Sequence, residues 1–193
     1  MQLEARVKAV VDLIDIFLQT KTPFDIVLHR YLRDRKWIGS ADRRAIAESA
    51  YAIFRNFEKL KFITSKITND FGRFLVLAYM RSVKQFSDRQ IEEIFSGRQY
   101  APSKLSAFEK KFISNLPLDF SSDKYPDHIQ LNYPKWLEPY LQRAFNEKNF
   151  RDEMLAFNEI ASIDLRVNTL LSTKDQVKEL LKDFDVEDMK YAK

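Results

Sequence analysis

The chain has 193 residues, a net charge of +4, 45% apolar side chains including sixteen Phe, and only three Gly and six Pro. That content supports a sizeable core of helices joined by short loops, and argues against all-β or α/β folds, whose turns and phosphate loops consume glycine. The absence of cysteine excludes disulfides, a cysteine nucleophile and a thiolate metal site, and the two histidines, His29 and His128, are far apart in sequence.

Leu3, Val7, Val10, Val11, Ile14, Phe17 and Leu18 recur at helical spacing and predict an amphipathic first helix. Thr22-Pro23 opens a second, with Thr22 as cap, Pro23 at the first helical position and Asp25 at the positive end of the dipole. Its stripe is Phe24, Val27, Leu28, Tyr31 and Leu32, and Gly39 is its expected stop. Asp42 starts a third helix, DRRAIAESAYAIFRNF, whose two adjacent apolar stripes predict a central place in a bundle. A fourth helix is expected near Phe71 to Lys84. Capping boxes at Ser87–Gln90 and Ser106–Glu109 open two more.

Periodicity vanishes over Pro117 to Asn132, which reads as a linker. The charge changes sign there: 21 Lys+Arg against 13 Asp+Glu up to Leu116, then 11 against 15. A basic module joined to something different is the expectation, and basic modules are candidates for nucleic-acid contact. Helix resumes at YPKWLEPYLQRAF with Trp136, Leu137, Tyr140, Leu141 and Phe145 inward. Pro139 disturbs its first turn. A short helix follows around Arg151 to Phe157. Leu165, Val167 and Thr169 then alternate with Asp164, Arg166 and Asn168, the pattern of a half-buried strand. Thr173 with Gln176 caps a last helix. A lone strand leaves both edges unpaired. Either its partners lie beyond this sequence, or the piece packs on the helices as a tail, or a second copy supplies them in a homodimer.

Several of these stretches resemble one family. DRRAIAESAYAIFRNF is similar to the central helix of the NusB-like domain that opens bacterial RsmB/Sun-family RNA methyltransferases. The preceding PFDIVLHRYLRDRKWIGSADRR has the same layout, ending in Asp42-Arg43. NYPKWLEPYL looks like the family's Pro-x-Trp-Leu helix, and ASIDLRVNTLLSTKDQVKELL like its Leu-Arg-Val-Asn strand and Thr-led helix. The resemblance implies a NusB-like RNA-binding bundle over 1–117, a linker over 118–132, and over 133–193 a helical segment with the start of a small, truncated α/β subdomain. It further implies an S-adenosylmethionine-dependent enzyme acting on carbon-5 of cytosine in RNA, mainly ribosomal. The cysteine nucleophiles and glycine-rich cofactor loop of that family are absent, since the chain has no Cys and no Gly-x-Gly. The chain alone is therefore expected to bind RNA without methylating it, and the cofactor is expected elsewhere. The rival reading is a stand-alone NusB-like adaptor for RNA or protein partners in transcription or ribosome assembly.

The densest basic stretch is Arg30, Arg33, Arg35, Lys36, Arg43 and Arg44, with Tyr31 and Trp37 interleaved. Arginines pair with phosphates and exposed aromatics stack on unpaired bases. Alternatively, Tyr31 and Trp37 fill the core and the arginines are a solvated helix end. Asp42 is expected to cap, and Arg43 offers an ion pair to a neighbouring helix. Arg55 directly follows the apolar helix. Arg166 and Asn168 share one strand face, where they offer a guanidinium and an amide to RNA. Trp136 is expected in the core. No apolar run reaches the roughly 20 residues that span a bilayer, and MQLEARVKAV lacks a signal-peptide apolar block. No membrane contact and a cytoplasmic location are expected.

Overall fold

The computed structural model describes residues 1–67, 71–120, 124–145, 147–159 and 163–189. Within them α1 (Leu3–Leu18) buries Val10, Leu13 and Ile14, one helical face. Around it lie α2 (Phe24–Arg33) and α3 (Ser40–Arg55), then α4 (Phe57–Ile63) and α5 (Phe71–Ala78). A π-helical turn at Tyr79–Val83 extends α5 and is followed by α6 (Asp88–Ile94) and α7 (Ala107–Ser114). The chain is mainly α-helical, as its composition predicts.

The centre is occupied differently from the expectation. α1 packs on α2, α3, α5 and α6, and α5 is buried continuously from Phe74 through Ala78. α3 buries only Ile46, Ala50 and Ile53; of its second stripe, Tyr51 is exposed and Phe54 half-buried. Those two rings belong to an aromatic group. Phe24 sits 5.3 Å from Tyr51 and 4.2 Å from Phe54, and Phe17 sits 4.8 Å from Phe54. The wide apolar arc of α3 thus serves edge-to-face contacts near the surface.

Close approach of α1 and α5 depends on Gly72. A Cβ there would lie 2.1 Å from the Asp15 carboxylate and 3.1 Å from the Asp15 backbone nitrogen. A buried ion pair ties α5 to α7: Arg73 donates to Glu109, and its Nη2 donates to the Ser103 carbonyl at 2.9 Å. Glu109 also completes the predicted capping box, accepting from Ser106 N–H at 2.7 Å while Glu109 N–H donates to Ser106 Oγ at 3.2 Å. The boxes at Ser87 and Thr173 form too. Thr22 does not cap α2, whose N-cap position is Pro23 and carries no side-chain cap.

The stretch expected as a linker contains α8 (Asp127–Gln130), which packs on α4, and it buries Phe120, Ile129 and Leu131. A 3-10 turn at Lys135–Leu137 precedes α9 (Glu138–Ala144), with Pro139 in the first turn, where its missing N–H costs nothing. α10 (Glu147–Phe157) follows. Leu131, Tyr133 and Met154 form a second small core with Leu141, Phe145 and Phe150 against it. Trp136 is not in it: its exposure is 70%, and Tyr140 is exposed as well. The 3-10 turn has three residues per turn instead of 3.6, so Trp136 leaves the stripe that a continuous α-helix would have given it.

The chain divides into two compact units, Met1–Asn158 and Glu159–Lys193. In the second, α11 (Lys174–Leu180) forms as expected, but the predicted strand does not: residues 163–168 have no regular structure and 169–171 form a turn. No strand occurs among the described residues, so no ladder partner exists for that segment. Asn168 ends it, accepting from Leu170 N–H through its side chain at 3.1 Å and from Leu171 N–H through its carbonyl at 3.0 Å. Among the described residues no helix is long and apolar enough to cross a membrane.

Candidate nucleic-acid interface

Phe24, at the start of α2, meets Tyr51 and Phe54, near the end of α3. The two helices therefore run antiparallel, and the chain reversal at 34–39 brings the end of α2 and the start of α3 together. Six basic residues stand against two acidic ones between Arg30 and Arg44, all at this end of the hairpin. The structure sorts them by use.

Arg43 holds the reversal. Its Nε donates to the Ile38 carbonyl at 2.7 Å and its Nη2 to the Arg35 carbonyl at 3.1 Å. It is not paired with an acid on a neighbouring helix. Arg35 lies flat against the core, its guanidinium carbon 3.7 Å from the centre of the Tyr31 ring and its Nη1 donating to the Tyr31 carbonyl at 3.3 Å. Tyr31 is buried, which pushes its phenol up to about 12 despite the opposing effect of Arg35. Ile38 is buried as well. Asp42 does not cap α3, whose N-cap is Gly39. It accepts from the Met1 amine at 2.9 Å and from Arg6 Nε at 2.7 Å, and these two bonds hold its carboxyl below the usual range. Arg35 and Arg43 thus build the loop, and Asp42 ties the start of α3 to the N-terminal end of α1.

The remaining cations face solvent. Arg33 makes one exposed contact of 3.4 Å with Asp34, a pair of little energetic weight. Arg30, Lys36 and Arg44 are exposed and have no side-chain partner among the described residues. Arg30 and Arg33 lie three residues apart on one face of α2. Trp37, between Lys36 and buried Ile38, is 75% exposed.

Other expected residues fall elsewhere. Arg55 is eleven residues along α3 from Arg44, about 16 Å at 1.5 Å per residue, and its carbonyl accepts from the Asn132 side chain. Arg166 is exposed in the Glu159–Lys193 unit, and Asn168 forms the turn described above. The expected pairing of the two on one strand face does not arise, because there is no strand. A signal for the reversal was present in the sequence at Gly39, although α2 ends earlier, at Arg33, and Gly39 is instead the N-cap position of α3. Which arginine would turn inward was not signalled.

The glycines form no cofactor loop. Gly39 caps α3, Gly72 meets Asp15, and Gly97 takes a φ of +68° beyond α6. An open groove of about 360 Å³ is lined mainly by apolar side chains, among them Ile63, Phe108, Phe112 and Leu116, with Lys111 and Asn115 beside them. Compared with known proteins, the chain matches no family model, no curated protein and no solved structure. The family likeness therefore rests on the motifs quoted above.

Proposed function

We propose that the chain binds structured RNA, ribosomal RNA in the first instance, as the NusB-like N-terminal region of an RNA cytosine-C5 methyltransferase. The observation that carries this reading is the separation of roles at the α2–α3 reversal. Arg35 and Arg43 are consumed in holding the loop, while Arg30, Arg33, Lys36 and Arg44 are held out in solvent around it. Exposed cations on a braced frame suit a phosphate backbone, which rewards charge at fixed spacing. In this reading Arg55 and Arg166 lie outside the cluster and add at most secondary contacts. S-adenosylmethionine and the methyl-transfer chemistry belong to a catalytic segment outside these residues.

A second reading, a NusB-like adaptor for protein partners, is favoured by the apolar side chains left in solvent. Trp136, Tyr140 and Phe157 are all well exposed in the first unit, as are Leu165, Leu170 and Phe184 in the second. Titration of a fluorescent ribosomal RNA fragment between 50 and 300 mM salt (roughly the range over which several phosphate contacts cost orders of magnitude) separates the two. The RNA reading expects affinity to fall steeply with salt. No binding at the lowest salt would leave the adaptor.

A further inference from the structure

We infer that Trp37 is a stacking platform for an unpaired nucleobase, so that the ligand is RNA with a loop, bulge or single-stranded end and not a continuous duplex. This deepens the RNA reading above and rests on it. A large aromatic side chain is ordinarily placed where it can be covered, because it carries 150–250 Å² of largely apolar surface, a general magnitude of about 200 Å². Here the fold provides cover for its neighbours and withholds it from Trp37. Tyr31 is buried under Arg35, and Ile38 is buried beside it, so the reversal is anchored without the indole.

The loop is also braced. Arg43 ties down the carbonyls of Ile38 and Arg35, Ile38 N–H donates to the Arg35 carbonyl at 3.0 Å, and Arg35 N–H to the Leu32 carbonyl at 3.3 Å. Trp37 lies within this braced segment, so less ordering is required when a base arrives. Lys36 precedes it in sequence, and Arg33 and Arg44 stand on the helix ends that flank the reversal. An aromatic face amid solvent-facing cations is the arrangement that binds unpaired nucleotides, with stacking on the base and charge on the backbone. The interior of a duplex keeps its bases stacked on each other and offers the indole no face.

The test uses the whole chain carrying W136F, which leaves Trp37 as the one tryptophan, since the sequence has two. Three ligands are titrated: an RNA hairpin with a uridine-rich loop, a blunt RNA duplex of equal length, and inorganic polyphosphate. The hairpin should quench indole emission, while the duplex and polyphosphate should not. A tryptophan-free W37A chain, followed by the anisotropy of labelled ligands, should bind the hairpin at least about fivefold more weakly, with W37F retaining most of the affinity. Duplex and polyphosphate affinities should be unchanged. If W37A binds the hairpin as tightly as its parent, or the duplex quenches equally, the stacking role is overturned. The indole would then be an anchor for a protein contact. The cationic reading fails on a different observation, namely that R30E/R44E binds all three ligands as the parent does. Failure of the parent to bind any of them overturns both.

Discussion

Arg43 and Arg44 are adjacent, carry the same charge and begin the same helix, yet they are expected to respond oppositely to substitution. Arg43 satisfies two loop carbonyls, and hydrogen bonds from a charged donor contribute about 1.5–3 kcal/mol. R43M should therefore lower stability by about 2 kcal/mol in a denaturant titration. Arg44 has no side-chain partner among the described residues, so R44Q should leave stability within about 0.5 kcal/mol and weaken RNA binding. Equal stability loss in both variants would show that the two side chains had been assigned the wrong roles. Gly72 supplies a second contrast at this scale. Its hydrogen faces the Asp15 carboxylate and backbone, so G72A must displace that carboxylate and ease α1 from α5 by a few tenths of an ångström, and should cost about 1–3 kcal/mol, despite the helix propensity that alanine would add. Both arginines stand out in the sequence as basic and Arg43 as the partner of an acid on a neighbouring helix, because local pattern does not show that its side chain turns back on the loop carbonyls instead. It placed Trp37 in an aromatic-basic stretch but left its exposure open, because that depends on Ile38 and Tyr31 filling the core instead.

Between elements, the tie that holds α7 on α5 is Arg73 with Glu109. Both side chains are nearly enclosed, and Arg73 also stacks over Phe95, its guanidinium carbon 4.7 Å from the ring centre. Burial by itself would raise the Glu109 carboxyl. The hydrogen bonds from Arg73 and Ser106 outweigh it and hold the group below the ordinary carboxylate range. A carboxyl depressed in the folded state stabilises the fold above its unfolded pKa, about 4.3. That contribution fades as pH falls through the lower folded value. Stability should accordingly decline below about pH 4, and E109Q should flatten that part of the acid limb in pH-dependent thermal unfolding. E109A, which leaves Arg73 buried without its partner, should cost about 3 kcal/mol or more at neutral pH. Capping boxes were the most legible feature at this scale, since Ser-x-x-Gln, Ser-x-x-Glu and Thr-x-x-Gln state a hydrogen-bond pattern outright. The end of α3 was legible to within two residues, but α4, which follows at once, was not. There the Asn56 side chain donates to the Ala52 carbonyl at 2.9 Å inside an otherwise continuous apolar pattern. The strand expected at Asp164–Thr169 failed because alternation describes a face, whereas a strand also needs a ladder, and Asn168 instead folds the chain into a turn.

The whole molecule is a helical body spanning Met1–Asn158 and a second compact unit, Glu159–Lys193, with different relations to water. The first holds both apolar clusters, so a chain ending at Glu159 should still unfold cooperatively, within a few degrees of the full chain by calorimetry. In the second, Leu165, Leu170, Leu171, Leu180 and Phe184 are exposed, so loss of residues 160–193 should also reduce binding of a hydrophobic dye. The proposed grip on an RNA backbone rests on four solvent-held cations at the α2–α3 reversal. It is tested most directly by the slope of log affinity against log salt for a ribosomal RNA fragment, compared between the parent and R30Q/R33Q/K36Q/R44Q. Each lost phosphate contact removes about 0.7–0.9 from the slope. The variant should therefore be shallower by about 3–3.5 with its unfolding midpoint unchanged, whereas superimposable slopes would place the RNA somewhere else on the molecule, or nowhere.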